Sequence, residues 1–360
     1  MGKKSLKRRD EARQTGIQRC DFAGSLVKRV LLKWKIDDDD RQRALGLLGV
    51  GSRPEMLLAS DLAALMQASE CLLNLIKVMI KQHPQRQYYF ATFVDDLGNT
   101  GDRAPNLQIS PFQNKVERAI RSLGLSGIIV NGFHPFMNHP GGGKGRQISV
   151  DAHGILWMDK PFDHAAAARV QNRSGTWFSS LTIKPIDIAP LDPKKLARLC
   201  YYLFKPWHEA KNVMSNKKNE GDYKLMSTRK GYRPEFATRL FEGLSQIELM
   251  KLVTGINGGT GLRQQLRKSL VDWHRSRPEP IAVPASVDVW LLWASMREEN
   301  GSRDYKPFRF NLASSASTTL ARRRPPRRRR LGNAPPRKIG QRHLGKPPSR
   351  APRRNPLADL

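Results

Sequence analysis

The stretch Ile148–Trp157, I-S-V-D-A-H-G-I-L-W, constrains this chain more than any other. Its Ile, Val, Leu and Trp residues predict a strand near the middle of a sheet. Residues two apart in a strand point to the same face, so Asp151 and His153 project together. Their neighbours favour burial, and a carboxylate beside an imidazole can share one divalent cation. The plainer alternative is a polar pair on a half-exposed strand.

Other segments fall into place around this strand. Tyr88–Val94, Y-Y-F-A-T-F-V, predicts an aromatic, β-branched strand. Gly127–Phe133 predicts a second, ending at His134, and Thr176–Ile186 another. Three helices accompany them. One covers Asp61–Lys81, with Ser60 as its cap and no chemistry of its own. One starts at Ser110-Pro111 and stops at Gly124, and one starts at Asp192-Pro193 and runs past Leu203. The order predicts an α+β fold: a central, mostly antiparallel sheet with helices on one face.

Composition divides the chain. Residues 1–59 read as a basic N-terminal arm and loop, with 1–19 mobile and the run Asp37–Asp40 a solvated acidic loop. Residues 60–210 carry the α+β domain with its leading helix. Residues 211–312 read as a helical DNA-binding or accessory region. There Ser245-Gln-Ile-Glu248 matches a capping box for a helix to about Val253. Leu262–Trp273 is amphipathic with Arg263, Arg267 and Lys268, and Val287–Met296 carries Trp290 and Trp293 into a buried position. Tyr223 and Tyr232 are candidates for stacking on bases. From 313 to 360 the chain is rich in Arg and Pro, which predicts a disordered basic tail.

The formal net charge of +31 on 360 residues points to a polyanionic partner. Nucleic acid is the first expectation and an anionic membrane surface the second. Lys144 and Arg146 in the glycine loop, Arg263, Arg267 and Lys268 on the amphipathic helix, and Arg328 and Arg329 in the tail are the candidate phosphate contacts. No membrane span is expected, because the apolar run around Leu72–Ile80 is broken by Asn74 and Lys77. Met1–Arg13 is basic and polar and predicts no secretory signal. Leu6 stands where a myristoylation motif needs Ser or Thr. Cys20, Cys71 and Cys200 are far apart, as in a reducing cytosol. Neither Gly141–Arg146 nor Gly255–Gly261 has the phosphate-loop pattern, so no ATPase or helicase is expected.

Tyr202 and Lys205, in C-Y-Y-L-F-K-P, are three apart and share a helix face. A cation beside a tyrosine steadies its phenolate and the charge that develops at phosphorus. Either residue could equally be ordinary helix packing.

Together, Y-Y-F-A-T-F-V at Tyr88–Val94, D-A-H-G-I-L-W at Asp151–Trp157 and Y-L-F-K at Tyr202–Lys205 resemble the HUH (histidine–hydrophobic–histidine) endonucleases. These include rolling-circle replication initiators of plasmids and phages and their transposase relatives. The resemblance covers roughly residues 85–210. It departs at Asp151, where the family has the first histidine of its pair. The resemblance implies a divalent metal, Mg²⁺ or Mn²⁺, on Asp151 and His153, with His134 as a third ligand and His139 the weaker candidate. It implies Tyr202 as nucleophile, Tyr201 as a packing residue and Lys205 as the neutralising cation. The substrate would be single-stranded DNA or an origin hairpin, and the product a 5′-phosphotyrosyl link. The implied setting is the bacterial cytoplasm, with host replication proteins as further partners and no membrane. Two alternatives stand beside this: a catalytically degenerate DNA-binding protein of the same fold, and a basic RNA-binding protein.

Overall fold

The computed structural model describes residues 3–49, 56–102, 105–139, 146–182, 184–206, 210–215, 223–227, 234–277, 286–299 and 309–310. The elements run α1 (Lys3–Leu31), α2 (Asp38–Gly46), α3 (Leu62–Gln82), β1 (Gln87–Gly101), β2 (Asn106–Leu107), α4 (Ile109–Ser122), β3 (Ser126–Asn138) and β4 (Gln147–Met158). They continue with α5 (His164–Arg173), β5 (Ile186–Pro190), α6 (Leu196–Leu203), β6 (Lys211–Ser215), β7 (Tyr223–Ser227), α7 (Pro234–Leu244), β8 (Val253–Ile256), α8 (Gly259–Ser276), α9 (Ser286–Glu299) and β9 (Arg309–Phe310).

The fold is mixed α and β around one sheet in the order β5-β1-β4-β3-β6-β7, with β8 also on β3. Its β3–β6 pair is parallel and the remaining pairs are antiparallel. The predicted strand at Ile148–Trp157 is β4, with β1 on one side and β3 on the other. Every residue from Gln147 to Trp157 is buried, as a strand covered on both faces requires. The half-exposed reading of Asp151 and His153 therefore fails.

Register assigns the faces. Thr92 stands opposite His153, and Val130 stands opposite it on the other side. Asp151, His153, Thr92, Gly132 and His134 thus share one face of the sheet. Tyr202 of α6 packs on this face against Phe90 and His153. On the opposite face, Trp177 packs against Phe93 of β1 and Phe112 of α4. Helices therefore cover both faces, not one. The apolar alternation of β1 leaves Tyr89, Ala91 and Phe93 to be buried on the second side, so a second layer is unavoidable.

Several expected boundaries move. Where the sequence predicts a strand, at Thr176–Ile186, the described residues are irregular chain until β5 begins at Ile186, and α5 precedes them. There Asp95 and Asp96 accept backbone bonds from Phe178 and Ser180, replacing ladder partners. From Lys3 on, the expected basic arm is part of α1, which packs on α3, α6 and α7 with Ala23, Val27 and Leu31 in the core. The acidic run at Asp37–Asp40 opens α2: Asp37 caps it by accepting from Asp39 N, and Asp38–Asp40 occupy the first turn, where the helix dipole favours carboxylates. Asp61, not Ser60, caps α3, while the Ser60 hydroxyl donates to the Leu47 carbonyl. Glu248 precedes a short 3-10 turn and then β8, so the capping box starts no long helix. Gly124 stops α4 with φ of 68°, a left-handed conformation that suits glycine.

Residues 211–312 do not stand apart, because β6, β7 and β8 extend the main sheet. Within α9, Trp293 is buried against Trp34 and Phe241 and donates to the Ser245 hydroxyl at 2.9 Å. The chain divides after Ala313, close to the composition change, and the basic tail expected from there on lies outside the described residues. Cys20, Cys71 and Cys200 are unbridged. By length and composition α3, with a mean hydropathy of 1.4, is long and apolar enough to cross a membrane despite Asn74 and Lys77. Here it packs on α6 and α8 with Leu72, Leu73 and Ile76 fully buried.

Candidate metal centre and tyrosine site

His134 reaches the site from the middle of β3. The first part of β3 pairs with β8 through Val130, and its end pairs with β6 from Phe136. On the other edge β3 follows β4 without a break, which sets His134 opposite Ser149 and Gly132 opposite Asp151. Two irregularities shape the surroundings. The β1–β4 register shifts between Val94 and Asn99, and such bulges re-aim side chains. Gly98 sits in that bulge with the Val150 carbonyl so close that a Cβ would meet it at 2.3 Å.

The three side chains converge. His134 Nε2 lies 2.6 Å from Asp151 Oδ2, and His153 Nε2 lies 2.9 Å from the same oxygen. One ligand atom from each residue falls within 4.8 Å of the others, as one bound cation requires. All three residues are buried.

Two features fit a metal ion. Asp151 Oδ1 is buried with no hydrogen-bond partner, in a carboxylate whose lone pairs ordinarily are all used. Gly132 leaves the space beside that oxygen open, since a Cβ there would meet Oδ1 at 2.5 Å. A buried, half-unsatisfied carboxylate flanked by imidazole nitrogens is a donor set for a divalent cation.

The charge states agree with this. Burial drives the His134 pKa down to about 3; the Asp151 carboxylate opposes that shift, and the Lys205 ammonium reinforces it. Burial also resists ionisation of Asp151, but the two imidazoles overcome it and hold its pKa well below the carboxylate range. A neutral imidazole and an ionised carboxylate are the forms that bind metal. Thr92 Oγ1 lies 3.0 Å from His153 Nδ1. Which atom donates follows the imidazole tautomer: with a cation on Nε2, Nδ1–H would donate to the Thr92 hydroxyl. The Phe90 ring stacks on the His153 imidazole at 6.0 Å and fixes its plane.

Tyr202 and Lys205 meet the same cluster. The Tyr202 hydroxyl lies 3.4 Å from His153 Nε2, and Lys205 Nζ lies 3.1 Å from His134 Nε2. Lys205 Nζ also stands 4.0 Å above the Tyr202 ring, a cation–π contact. Tyr201 points away: it is buried, and its hydroxyl donates to the Glu70 carboxylate. Burial and that carboxylate raise its pKa. Tyr201 is the packing member of the pair, as its helix angle implies.

The remaining candidates are placed elsewhere. His139 is buried beside Phe136, with Nε2 3.3 Å from Asn99 Nδ2, and is not one of the three convergent residues. Arg146 lies over the Phe236 ring at 3.8 Å. Arg263 donates to the Val253 and Met250 carbonyls, closing the 3-10 turn before β8, which explains its partial burial better than a phosphate contact does. Arg267 and Lys268 are exposed on α8. That helix starts against Gly127, seven residues before His134 and so roughly 20 Å away along the strand. Lys144, Tyr232, Arg328 and Arg329 lie outside the described residues.

Sequence reasoning missed Thr92, Gly132 and Phe90. Thr92 and Phe90 sit two apart in the strongest strand, so period two placed them together, but only pairing with β4 showed which face they take. No family model, curated protein or solved structure matches this chain, so the reading of the site rests on its own geometry.

Proposed function

We propose that this protein is an HUH-like, metal-dependent enzyme that nicks single-stranded DNA through a tyrosine nucleophile, as the replication initiators of plasmids, phages and transposons do. One observation carries the reading. Tyr202 and Lys205, distant in sequence from the His134–Asp151–His153 set, have their reactive atoms beside its two imidazoles. The arrangement also answers the departure at Asp151. The histidine missing from β4 is replaced by His134 across the strand pair, so the donor set keeps two imidazoles and gains a carboxylate. The carboxylate suits Mg²⁺ or Mn²⁺, and the two imidazoles beside it favour Mn²⁺ of the two.

When bound, the metal would supply Lewis-acid polarisation of the scissile phosphate. The rest falls to the chain. The Tyr202 oxygen attacks phosphorus, the bond from phosphorus to the 3′ oxygen breaks, and a 5′-phosphotyrosyl link forms. The phenolic proton leaves to solvent, and the departing 3′ oxygen takes one up. Lys205 stabilises the phenolate and the charge spreading over the phosphoryl oxygens. His134, Asp151 and His153 bind the cation, and Thr92 orients His153. The released 3′-hydroxyl can prime synthesis, which suits rolling-circle replication in a bacterial host.

The test is purified protein with labelled single-stranded DNA from the flanks of its own gene and Mn²⁺. An SDS-stable protein–DNA adduct, lost in Tyr202→Phe and in Asp151→Ala, is the expected result. Asp151 in place of histidine favours a second reading, a DNA-binding protein without chemistry. Salt-sensitive binding with no adduct on any of the flanking DNA would select it. A preference for structured RNA over that DNA would select an RNA-binding role instead.

A further inference from the structure

A cavity of about 520 Å³ lies between α1 and the segment that leads into α6. Arg8, Arg19, Lys194, Lys195 and Arg198 line it, and Tyr202 stands in its wall. Glu11 is the acid among the lining residues, and Asp192 flanks it, 3.8 Å from Lys195. The groove is therefore cationic, and both Tyr201 and Tyr202 stand in its wall, the Tyr202 hydroxyl lying beside His153.

The α1 wall is held in place. Gly16 lets the helix approach until a Cβ would meet Met66 Sδ at 2.8 Å and Tyr201 Cδ1 at 3.0 Å. Arg9 donates to Glu70 at 2.7 Å, and Glu70 in turn accepts from Tyr201. These contacts tie α1, α3 and α6 together. They occupy Arg9 and leave Arg8, a helical step away, to line the groove.

We propose that this groove binds the sugar–phosphate backbone of single-stranded DNA flanking the scissile phosphate, with α1 as a substrate-positioning element. The inference rests on the nicking reading for its account of what the groove delivers to Tyr202. The charge argument is separate. Cations along a cleft neutralise successive phosphates, whereas scattered surface lysines would not leave one sign of charge leading to a tyrosine. Phosphate contacts of this kind fix the position of the strand and carry no sequence information of their own.

The test uses the full chain carrying Tyr202→Phe, without divalent metal, and a fluorescent 12-nucleotide oligo-dT. In this background Arg8→Glu/Arg198→Glu is compared with the charge-matched pair Arg169→Glu/Arg173→Glu, exposed on α5. The groove pair is expected to weaken binding about tenfold or more and to reduce the slope of log K against log salt by about 1.4, or ~0.7 per lost phosphate contact. The α5 pair is expected to change affinity no more than about threefold. Equal losses in both pairs would reduce the effect to general charge and overturn the proposal. Tighter binding of oligo-rU than oligo-dT would overturn the assignment to DNA. Adduct formation by the Tyr202 protein is scored separately. Nicking with an unaltered salt slope in the groove pair removes the groove alone, and groove-dependent binding without any adduct removes the chemistry alone.

Discussion

The Tyr202 hydroxyl stands 3.4 Å from His153 Nε2, 49 residues earlier in the chain. A helix and the central strand meet there because α6 lies on the sheet face that carries His153, with Phe90 between them. Adjacent Tyr201 is turned to the Glu70 carboxylate, so consecutive tyrosines have separate tasks.

That division can be read from two conservative changes. Tyr202→Phe is expected to abolish the DNA adduct with little effect on melting. Tyr201→Phe is expected to keep the adduct and to cost about 1 kcal/mol, the usual net worth of one hydrogen bond, since Glu70 keeps Arg9. Lys205→Ala should slow adduct formation about 100-fold, comparable to removing one oxyanion donor. Adduct gels and thermal melts decide all three. Loss of the adduct in Tyr201→Phe but not in Tyr202→Phe would reverse the assignment.

Gly132 tests the metal centre without touching a ligand. Its missing Cβ leaves room beside Asp151 Oδ1, so Gly132→Ala should displace that carboxylate and crowd the site, costing about 1–3 kcal/mol. Mn²⁺ is expected to raise the melting temperature of the native chain, with about 2.7 kcal/mol gained at 100 times Kd. The gain should shrink in Gly132→Ala, disappear in Asp151→Asn and reverse on adding chelator. An equal Mn²⁺ gain in Asp151→Asn would place the ion elsewhere.

Acid should destabilise the metal-free protein through the same cluster. His134 is held neutral, with its pKa lowered to about 3 from 6.5. The unfolded chain therefore takes up a proton there that the folded chain refuses. This contribution is fully present above about pH 6.5 and is lost progressively toward pH 3, at up to ~1.4 kcal/mol per pH unit. Asp151 adds in the same direction at the acid end, because its folded pKa is also lowered. Urea midpoints between pH 7 and pH 4, in chelator, should fall more steeply for the native chain than for His134→Gln. Parallel curves would mean that His134 is not held neutral.

Two glycines of α1 are predicted to respond oppositely. A Cβ at Gly24 meets Leu62 at an ordinary 3.6 Å, so Gly24→Ala should stabilise by about 0.5–1 kcal/mol through helix propensity. At Gly16 the contacts with Met66 and Tyr201 are too close, and Gly16→Ala should give none of that gain. Denaturation midpoints of the two variants settle whether α1 is seated against Tyr201 as described.

Much of the core sheet was legible locally. The aromatic and β-branched run at Tyr88–Val94 and the apolar run at Ile148–Trp157 have one use in water, which is a buried strand, and they became β1 and β4. The Tyr202/Lys205 spacing did bring the two side chains together, but not on a shared helical face: α6 ends at Leu203, and Lys205 reaches the Tyr202 ring from the turn beyond it. The basic N-terminus misled because charge suggests a solvated arm. In α1 Ala23, Val27 and Leu31 form a buried stripe, and Arg9 on the same side is turned to Glu70 of α3; that stripe becomes decisive only when α3, α6 and α7 are present to receive it.

By itself, the sequence determined that Asp151 and His153 leave the central strand on one side, because period two is a property of the extended backbone. Which helix covers that side, which neighbour adds the third side chain of the cluster and where Tyr202 meets them were decided by tertiary structure. His134 became a partner of Asp151 through the β3–β4 register, and a slip of one residue would have turned it to the opposite face. That register is held by the burial of long apolar strands against both helical layers, an energy summed over the whole fold that no local stretch of sequence contains.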